Sequence, residues 1–378
     1  MAVTPASTEP ADTLTDWLTL CHAPGAGAVT IQRLRETFST PAAALKASNG
    51  ELLRLGLKQA TIDALRKPEE RLITRELEWC EADNNHIITC RDPAYPVLLA
   101  QLPDPPPLLY IHGDVNLLSE PQLAMVGSRN PSSSGRQTAV DFARHLASAG
   151  LVITSGLALG IDAASHQGAL DANAPTIAVM GTGLDRVYPA RHRDLARRIA
   201  EQGSLVSEFP LGTSPQPGNF PQRNRIISGL SLGTLVVEAA IRSGSLISAR
   251  YALEQGREVF AIPGSIHNPL ARGCHHLIRE GAKLVETAQD VIDELGSLAA
   301  ACSTLPGVVE ETTRPQQLGE EYLQLLDSID FDPTSIDQLV ERSGLTPAEV
   351  SSMLLQLELS GHIASNPGGR YSRLKNIG

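Results

Sequence analysis

The chain has 378 residues, enough for two or three domains with sizeable cores. With 42% hydrophobic and 19% charged residues, its composition is that of folded globular protein and excludes a wholly disordered chain. The net charge of −11 argues against general stickiness for nucleic acid, yet residues 123–283 carry 16 Lys and Arg against 11 Asp and Glu, so a mildly basic middle lies between acidic ends.

The first residues, MAVTPASTEPADT, lack the basic and apolar regions of a secretory signal and read as a flexible tail. No apolar run approaches the roughly 18 residues of a membrane-spanning helix. A cytoplasmic protein with no membrane contact is expected. The five cysteines, at 21, 80, 90, 274 and 302, form no C-x-x-C pair. Adjacent His275 and His276 would diverge by about 100° on a helix. Reduced, buried thiols, no metal site and no cofactor are expected.

Residues 14–84 are read as a helical domain, with little strand character over 14–66. LCHAPGAGAVTIQRLRETF places a Pro-Gly-Ala-Gly turn between two helical stretches. It resembles a helix-hairpin-helix, whose turn can offer backbone N–H groups to a DNA phosphate, and equally a plain packing corner. HIITC and LLYIHG, within 87–112, are short strand-like runs joined by an extended proline-rich segment.

From Leu123 the pattern becomes regular. LAMVG, LVITSG, TIAVMG, SLVSEF, TLVVEA, EVFAIPG and AKLVE are near-continuous apolar runs of strand length, as in a parallel sheet covered on both faces. Helical patterns over 134–149, 161–171, 191–202, 222–230, 245–255 and 273–280 separate them. Gly150, Gly203, Gly256 and Gly281 each stand just past a helix. This alternation predicts a doubly wound α/β domain over 85–296. Residues 297–318 lack a sustained period and read as a linker. In 319–378, helical patterns at 320–329, 335–342 and 347–360 precede two short strands around Asn-Pro-Gly-Gly, with Gly344 in a helix–turn–helix rhythm; this resembles a winged helix.

Ligands of open α/β sheets bind beyond the carboxyl ends of the strands. The first such loop holds Gly127, Ser128 and Arg129, and Ser134 with Gln137 matches a capping box that places a helix start there. The next holds Ser155, Gly156 and Gly160. Later loops hold GTG at 181–183, GNFPQRNRIISGLS with Asn219, Phe220, Arg223, Asn224 and Arg225, and RSGSLISAR with Arg242, Ser243 and Ser245. Gly and Ser/Thr would expose backbone N–H groups and hydroxyls to an anion, and the arginines add permanent charge. A dinucleotide fits poorly, because the acid expected at the end of the second strand is replaced by Ile153-Thr154-Ser155. Glu208 and Glu238 are the only strand-end carboxylates suited to chemistry, and Glu238 could equally cap a loop. Phe220 suggests base stacking beside backbone contacts, or a lid over its own loop. A third reading is a sensor of a small nucleotide.

VGSR, SGLALGIDAASHQGAL, GTGLDRVYP, NFPQRNRIISGLS, EAAIRSGSLISARYALEQGREVFAIPG and GCHHLI together resemble, in order and over about 170 residues, the DprA/Smf family of DNA-processing proteins. The resemblance implies a SAM-like helical domain, an extended Rossmann-like, mostly parallel doubly wound sheet, and a winged-helix domain. It implies a non-enzymatic, homodimeric binder of single-stranded DNA that protects incoming strands in natural transformation and helps load RecA. It places DNA contacts at Gly127, Ser128, Arg129, Asn219 and Phe220, with Arg223 and Arg225 beside them. An arginine in the first turn suits a polynucleotide, since its fork can hold one of a row of phosphodiesters. SGLSLGTLVVEA also loosely resembles a motif of Rossmann-like nucleotide phosphoribohydrolases, but its double glycine is missing and Glu238 falls four residues after Thr234 rather than three. Residues 320–378 carry 4 Lys and Arg against 9 Asp and Glu, which disfavours duplex binding there and suits contact with a protein.

Overall fold

The computed structural model describes residues 13–302, 320–329, 334–359, 363–366 and 370–373. Contacts divide the chain into two compact units, Met1–Thr304 and Leu305–Gly378. None of the described helices is long and apolar enough to cross a membrane.

The first unit begins with six short helices: α1 (Leu14–His22), α2 (Ala28–Thr37), α3 (Pro41–Lys46), α4 (Asn49–Arg54), α5 (Gln59–Arg66) and α6 (Glu70–Cys80). Thr13 and Ser48 open α1 and α4 with capping boxes completed by Asp16 and Glu51. Trp17, Leu20, Ile31, Leu34, Leu52 and Ile62 fill their shared core. The α1–α2 turn is fastened to α5, whose Thr61 Oγ1 donates to the Pro24 carbonyl at 2.6 Å. A packing corner therefore accounts for this turn.

The sheet follows: β1 (Asn85–Thr89), α7 (Val97–Ala100), β2 (Leu108–Gly113), β3 (Gln122–Val126), α8 (Ser133–Ser148), β4 (Val152–Ser155), α9 (Ile161–Asp171), β5 (Thr176–Val179), α10 (Arg193–Gln202), β6 (Ser204–Ser207), α11 (Asn219–Gly229), β7 (Gly233–Val236), α12 (Ser245–Glu254), β8 (Glu258–Ala261), α13 (Arg272–Arg279), β9 (Lys283–Leu284) and α14 (Ala288–Cys302). Strand order is β1-β2-β6-β5-β4-β3-β7-β8-β9. All neighbours from β6 to β9 are parallel; β1–β2 and β2–β6 are antiparallel. Alternate residues face opposite layers, as the strand pleat requires. Leu123 and Met125 pack with Phe142, Val291 and Leu295, whereas Ala124 and Val126 pack with Ile226, Ala249 and Cys274.

Three expectations need correction. The boundary at 84/85 does not separate two cores, because Leu108 of β2 joins the helical cluster. The linker does not begin at 297, because α14 runs on to Cys302; residues 303–318 lie outside the described part. Gly150, Gly256 and Gly281 do have φ of 93°, 67° and 106°, but Gly203 does not. Gly203 is required by crowding instead: a Cβ would lie 2.1 Å from the Thr176 carbonyl oxygen.

The second unit contains α15 (Glu320–Ser328), β10 (Thr334–Ser335), α16 (Ile336–Ser343), α17 (Pro347–Leu359), β11 (Ile363–Asn366) and β12 (Arg370–Arg373). The strands pair antiparallel in the order β10-β12-β11. Gly344 ends α16 at φ 70°. Leu325, Leu339, Val350, Leu354 and Ile363 bury the contacts among the helices and the wing.

Candidate nucleic-acid interface

The parallel strands run outward from β3 to β4, β5 and β6 on one side, and to β7, β8 and β9 on the other. The loops after β3 and β7 therefore diverge and open a crevice at the carboxyl end of the sheet. A groove of about 710 Å³ occupies it, lined among others by Arg129, Tyr188, Phe220, Arg223, Arg242 and Ile247.

The turn after β3 is built for close approach. A Cβ on Gly127 would lie 2.6 Å from Ile161 Cγ1 and 2.9 Å from the Glu238 carbonyl oxygen. Ser128 is buried; its N–H donates to the Glu238 carbonyl at 2.6 Å, and its own carbonyl accepts from Ile161 N–H at 3.1 Å. These bonds fix the backbone and leave Arg129 exposed at the groove wall. The helix that follows starts two residues before the predicted capping box. Ser132 is the N-cap, accepting from Gly135 N–H at 2.9 Å. The Glu238 carboxylate accepts from Ser132 N–H (2.9 Å), Ser132 Oγ (2.6 Å) and Asn268 Nδ2 (3.3 Å). Glu238 thus secures a helix start from the distant loop after β7.

The loop after β4 does not offer the free donors its sequence suggested. Ser155 is fully buried and donates to the Met125 carbonyl at 2.6 Å. Gly160 packs on the Ser128–Arg129 backbone. The Gly156 N–H donates to Asp162 Oδ2 at 3.2 Å. These residues shape the turn.

Phe220 lies in the first turn of α11 and not in a preceding loop. Its ring is tilted against Tyr188, centroids 5.6 Å apart, and the Arg129 guanidinium carbon stands 5.9 Å above it. Beneath it, a Cβ on Gly181 would come within 3.0 Å of the ring. Asn219 Nδ2 donates to the Gly181 carbonyl at 3.0 Å and holds this end of α11 in place. Phe220, Arg223, Asn224 and Ile227 form one helical stripe along the groove. Arg225 is off that stripe. Its Nη2 pairs with Glu208 at 2.6 Å and its Nη1 donates to the Asp104 carbonyl at 2.5 Å. Arg225 and Glu208 form an internal pair and line no part of the groove. On the opposite wall, Ser243 and Ser245 bond each other at 2.7 Å, and Arg242 is exposed.

The groove thus gathers Gly127, Ser128, Arg129, Phe220, Arg223, Asn224, Ser243 and Ser245, but not Ser155, Gly156, Gly160, Asn219 or Arg225. It adds Tyr188, which is 48% exposed beside Phe220. Its signal was an aromatic residue in GTGLDRVYP, a loop at a strand end. Burial brings the Arg223 guanidinium down to about 10, while Asp162 opposes that fall.

Behind the groove, His166 is fully buried with Nδ1 2.7 Å from Thr176 Oγ1 and Nε2 unpaired. Burial, with His192 and Arg223 nearby, depresses it from 6.5 to about 3. The unfolded chain therefore binds a proton between these values that the folded chain does not. Stability is full above pH 6.5 and falls as pH drops toward 3, by up to about 1.4 kcal/mol per pH unit. Urea unfolding at pH 7 and pH 5 should show this loss, and it should shrink in His166→Gln.

A profile of the family described as DNA recombination-mediator protein A matches residues 86–296, and one of the DprA winged helix domain matches 309–369. Protein Smf of Escherichia coli is 46% identical over 307 residues, covering 80% of this chain and 81% of that protein. DNA processing protein DprA of Streptococcus pneumoniae is 49% identical over 203 residues, covering 54% and 72%. The crystal structure of the Streptococcus pneumoniae protein superposes with a TM-score of 0.68 at 36% identity, covering 75% of this chain and 98% of that one. DNA processing protein A from Helicobacter pylori, whose structure describes a single-stranded DNA binding mode, gives a TM-score of 0.51 at 32% identity, covering 56% and 95%. The chain belongs to the family of DNA recombination-mediator protein A, the DprA/Smf proteins.

Proposed function

We propose that the groove binds single-stranded DNA and that the chain acts as a recombination mediator without catalysing a reaction. The observation that carries this reading is the Tyr188–Phe220 pair, with Arg129 above Phe220, in one groove with Arg223 and Arg242. Aromatic faces accept any base, and arginines accept any phosphate, so the surface suits a strand of any sequence. The single-stranded DNA binding mode of the Helicobacter pylori relative supports it. The pairing of Glu208 with Arg225 and of Glu238 with Ser132 supports binding over the hydrolase alternative, since both carboxylates have structural partners. Protection of incoming strands in the cytoplasm, loading of RecA and homodimer formation complete the proposal on the strength of family membership.

The deciding experiment is a length titration of oligothymidylates. Affinity should rise steeply from the mononucleotide to roughly 10–20 nucleotides, the order of strand site sizes in such proteins. Saturation by a mononucleotide would support a sensor or hydrolase instead. Log affinity against log salt should fall with a slope of about −0.7 per phosphate neutralised.

The groove lies wholly within the first unit. A chain ending at Thr304 should therefore keep single-strand affinity within about threefold, below the loss of one ordinary contact. Loss of most of the affinity in the folded truncated chain would place part of the interface in the second unit.

A further inference from the structure

Two charged side chains of the groove, Asp162 and Arg223, are almost fully buried. Asp162 is 7% exposed and lines the groove. Its Oδ2 accepts from the backbone N–H groups of Gly156 at 3.2 Å and Ala158 at 3.3 Å. Between them Leu157, fully buried, has φ 56°, an uncommon conformation for a residue with a side chain. That residue turns two N–H groups toward one point, as a backbone nest does around an anion. In open α/β sheets a turn at this place, beyond a strand end at the crevice, is where a nucleotide phosphate sits. Here the chain's own carboxylate fills it.

Arg223 supplies an independent observation. It is 4% exposed, lines the same groove, and has Nε and Nη1 buried with no hydrogen-bond partner. Unpaired buried donors are costly unless a ligand or water completes them. Gly156 makes the position available, since a Cβ there would lie 1.5 Å from Arg223 Nη1. Asp162 offsets the charge of Arg223 through space, and Arg129 adds a second cation on the groove wall.

We propose that Asp162 is a specificity-determining residue: it fills the anion nest of the 156–160 turn, excludes doubly charged phosphomonoesters, and leaves Arg223 to take an oxygen of a singly charged phosphodiester. The groove then selects polynucleotide backbone over free nucleotides and strand-terminal phosphates. This rests on the single-strand reading and deepens it. A phosphomonoester carries about −1.5 to −2 at pH 7. Its extra charge would meet a fixed carboxylate where the backbone donors are already taken. A phosphodiester needs only one charged partner, and Arg223 has unpaired donors for it.

The test is displacement of labelled dT20 from the full chain at pH 7.5 by thymidine 5′-monophosphate and by its methyl ester, which differ by one charge. The methyl ester should compete about 10-fold better, the size of one partly offset charge interaction near a protein surface. Asp162→Asn keeps an oxygen acceptor and removes the charge. It should bring the ratio close to one by strengthening the monoester most, with dT20 affinity rising by less than that of the monoester. Arg223→Gln should weaken the methyl ester and dT20 together. Equal competition by the two thymidine compounds in the wild-type chain overturns the proposal, and this comparison needs no variant to fold. An unchanged ratio in folded Asp162→Asn overturns it as well. Failure of dT20 to bind the wild-type chain would remove the single-strand reading itself, an outcome distinct from dT20 binding without discrimination.

Discussion

Arg225→Met should destabilise the first unit by about 3–5 kcal/mol and leave DNA affinity per folded molecule unchanged. The Arg225 and Glu208 side chains are only 6% and 7% exposed and meet at 2.6 Å. Glu208 Oε1 already has no hydrogen-bond partner, and burial raises the carboxyl above its usual range. Removing the guanidinium strands this carboxylate in a dry site. It also deprives the Asp104 carbonyl of a donor, and so loosens the proline-rich segment before β2. In a unit of this size the loss corresponds to a fall in melting temperature of roughly 10 °C. Thermal unfolding with DNA titration of the folded protein separates the two roles of an arginine. The double variant Arg225→Met/Glu208→Leu should recover much of the stability, because buried ion pairs exchange for apolar groups at little cost. An Arg225→Met protein with unchanged melting temperature and weakened DNA binding would instead make Arg225 a DNA contact.

The contrast between Arg223 and Arg225 marks where sequence reasoning stopped. Both stand in NFPQRNRII, and both were expected beside a phosphate. On a helix, residues 220, 223, 224 and 227 share one face, while residue 225 lies about 140° from residue 220. The pattern contains that separation once the helix is known to begin at Asn219. A start expected near 222 left Phe220 in a loop and hid it. The parallel sheet was legible because each central strand is buried on both faces and therefore apolar throughout. The edge strands β1 and β2 and the wing were legible as short runs separated by proline and glycine, but the antiparallel pairing of the edge was not. Long-range polar partners were not legible. Glu238 reaches Ser132 across 106 residues, which moves the start of α8 away from Ser134. Glycine and serine after β4 imitate a phosphate loop, but in the folded chain Asp162 has taken its donors.

Phe220→Ala should weaken single-strand binding by about 1–3 kcal/mol, the contribution of one stacked base, with the salt slope nearly unchanged. Tyr188→Ala should act in the same direction, because Tyr188 is the exposed member of the pair. Arg129→Ala should behave differently. It removes one phosphate contact, so affinity should fall on every sequence and the slope of log affinity against log salt should shrink by about 0.7. The two sites also interact, since the Arg129 guanidinium stands 5.9 Å from the Phe220 ring centroid. A double-mutant cycle should therefore give a coupling of about 0.5–1 kcal/mol. Phe220 also covers Gly181 and braces the start of α11. Thermal unfolding must accompany the titrations, with Phe220→Leu as a variant that keeps bulk and removes the aromatic face. Stacking requires Phe220→Leu to bind as poorly as Phe220→Ala at near-normal melting temperature. If Phe220→Leu binds like the wild type, and Phe220→Ala loses several degrees with constant affinity per folded molecule, Phe220 is a packing lid. Tyr188 would then be the only aromatic face of this pair left to receive a base.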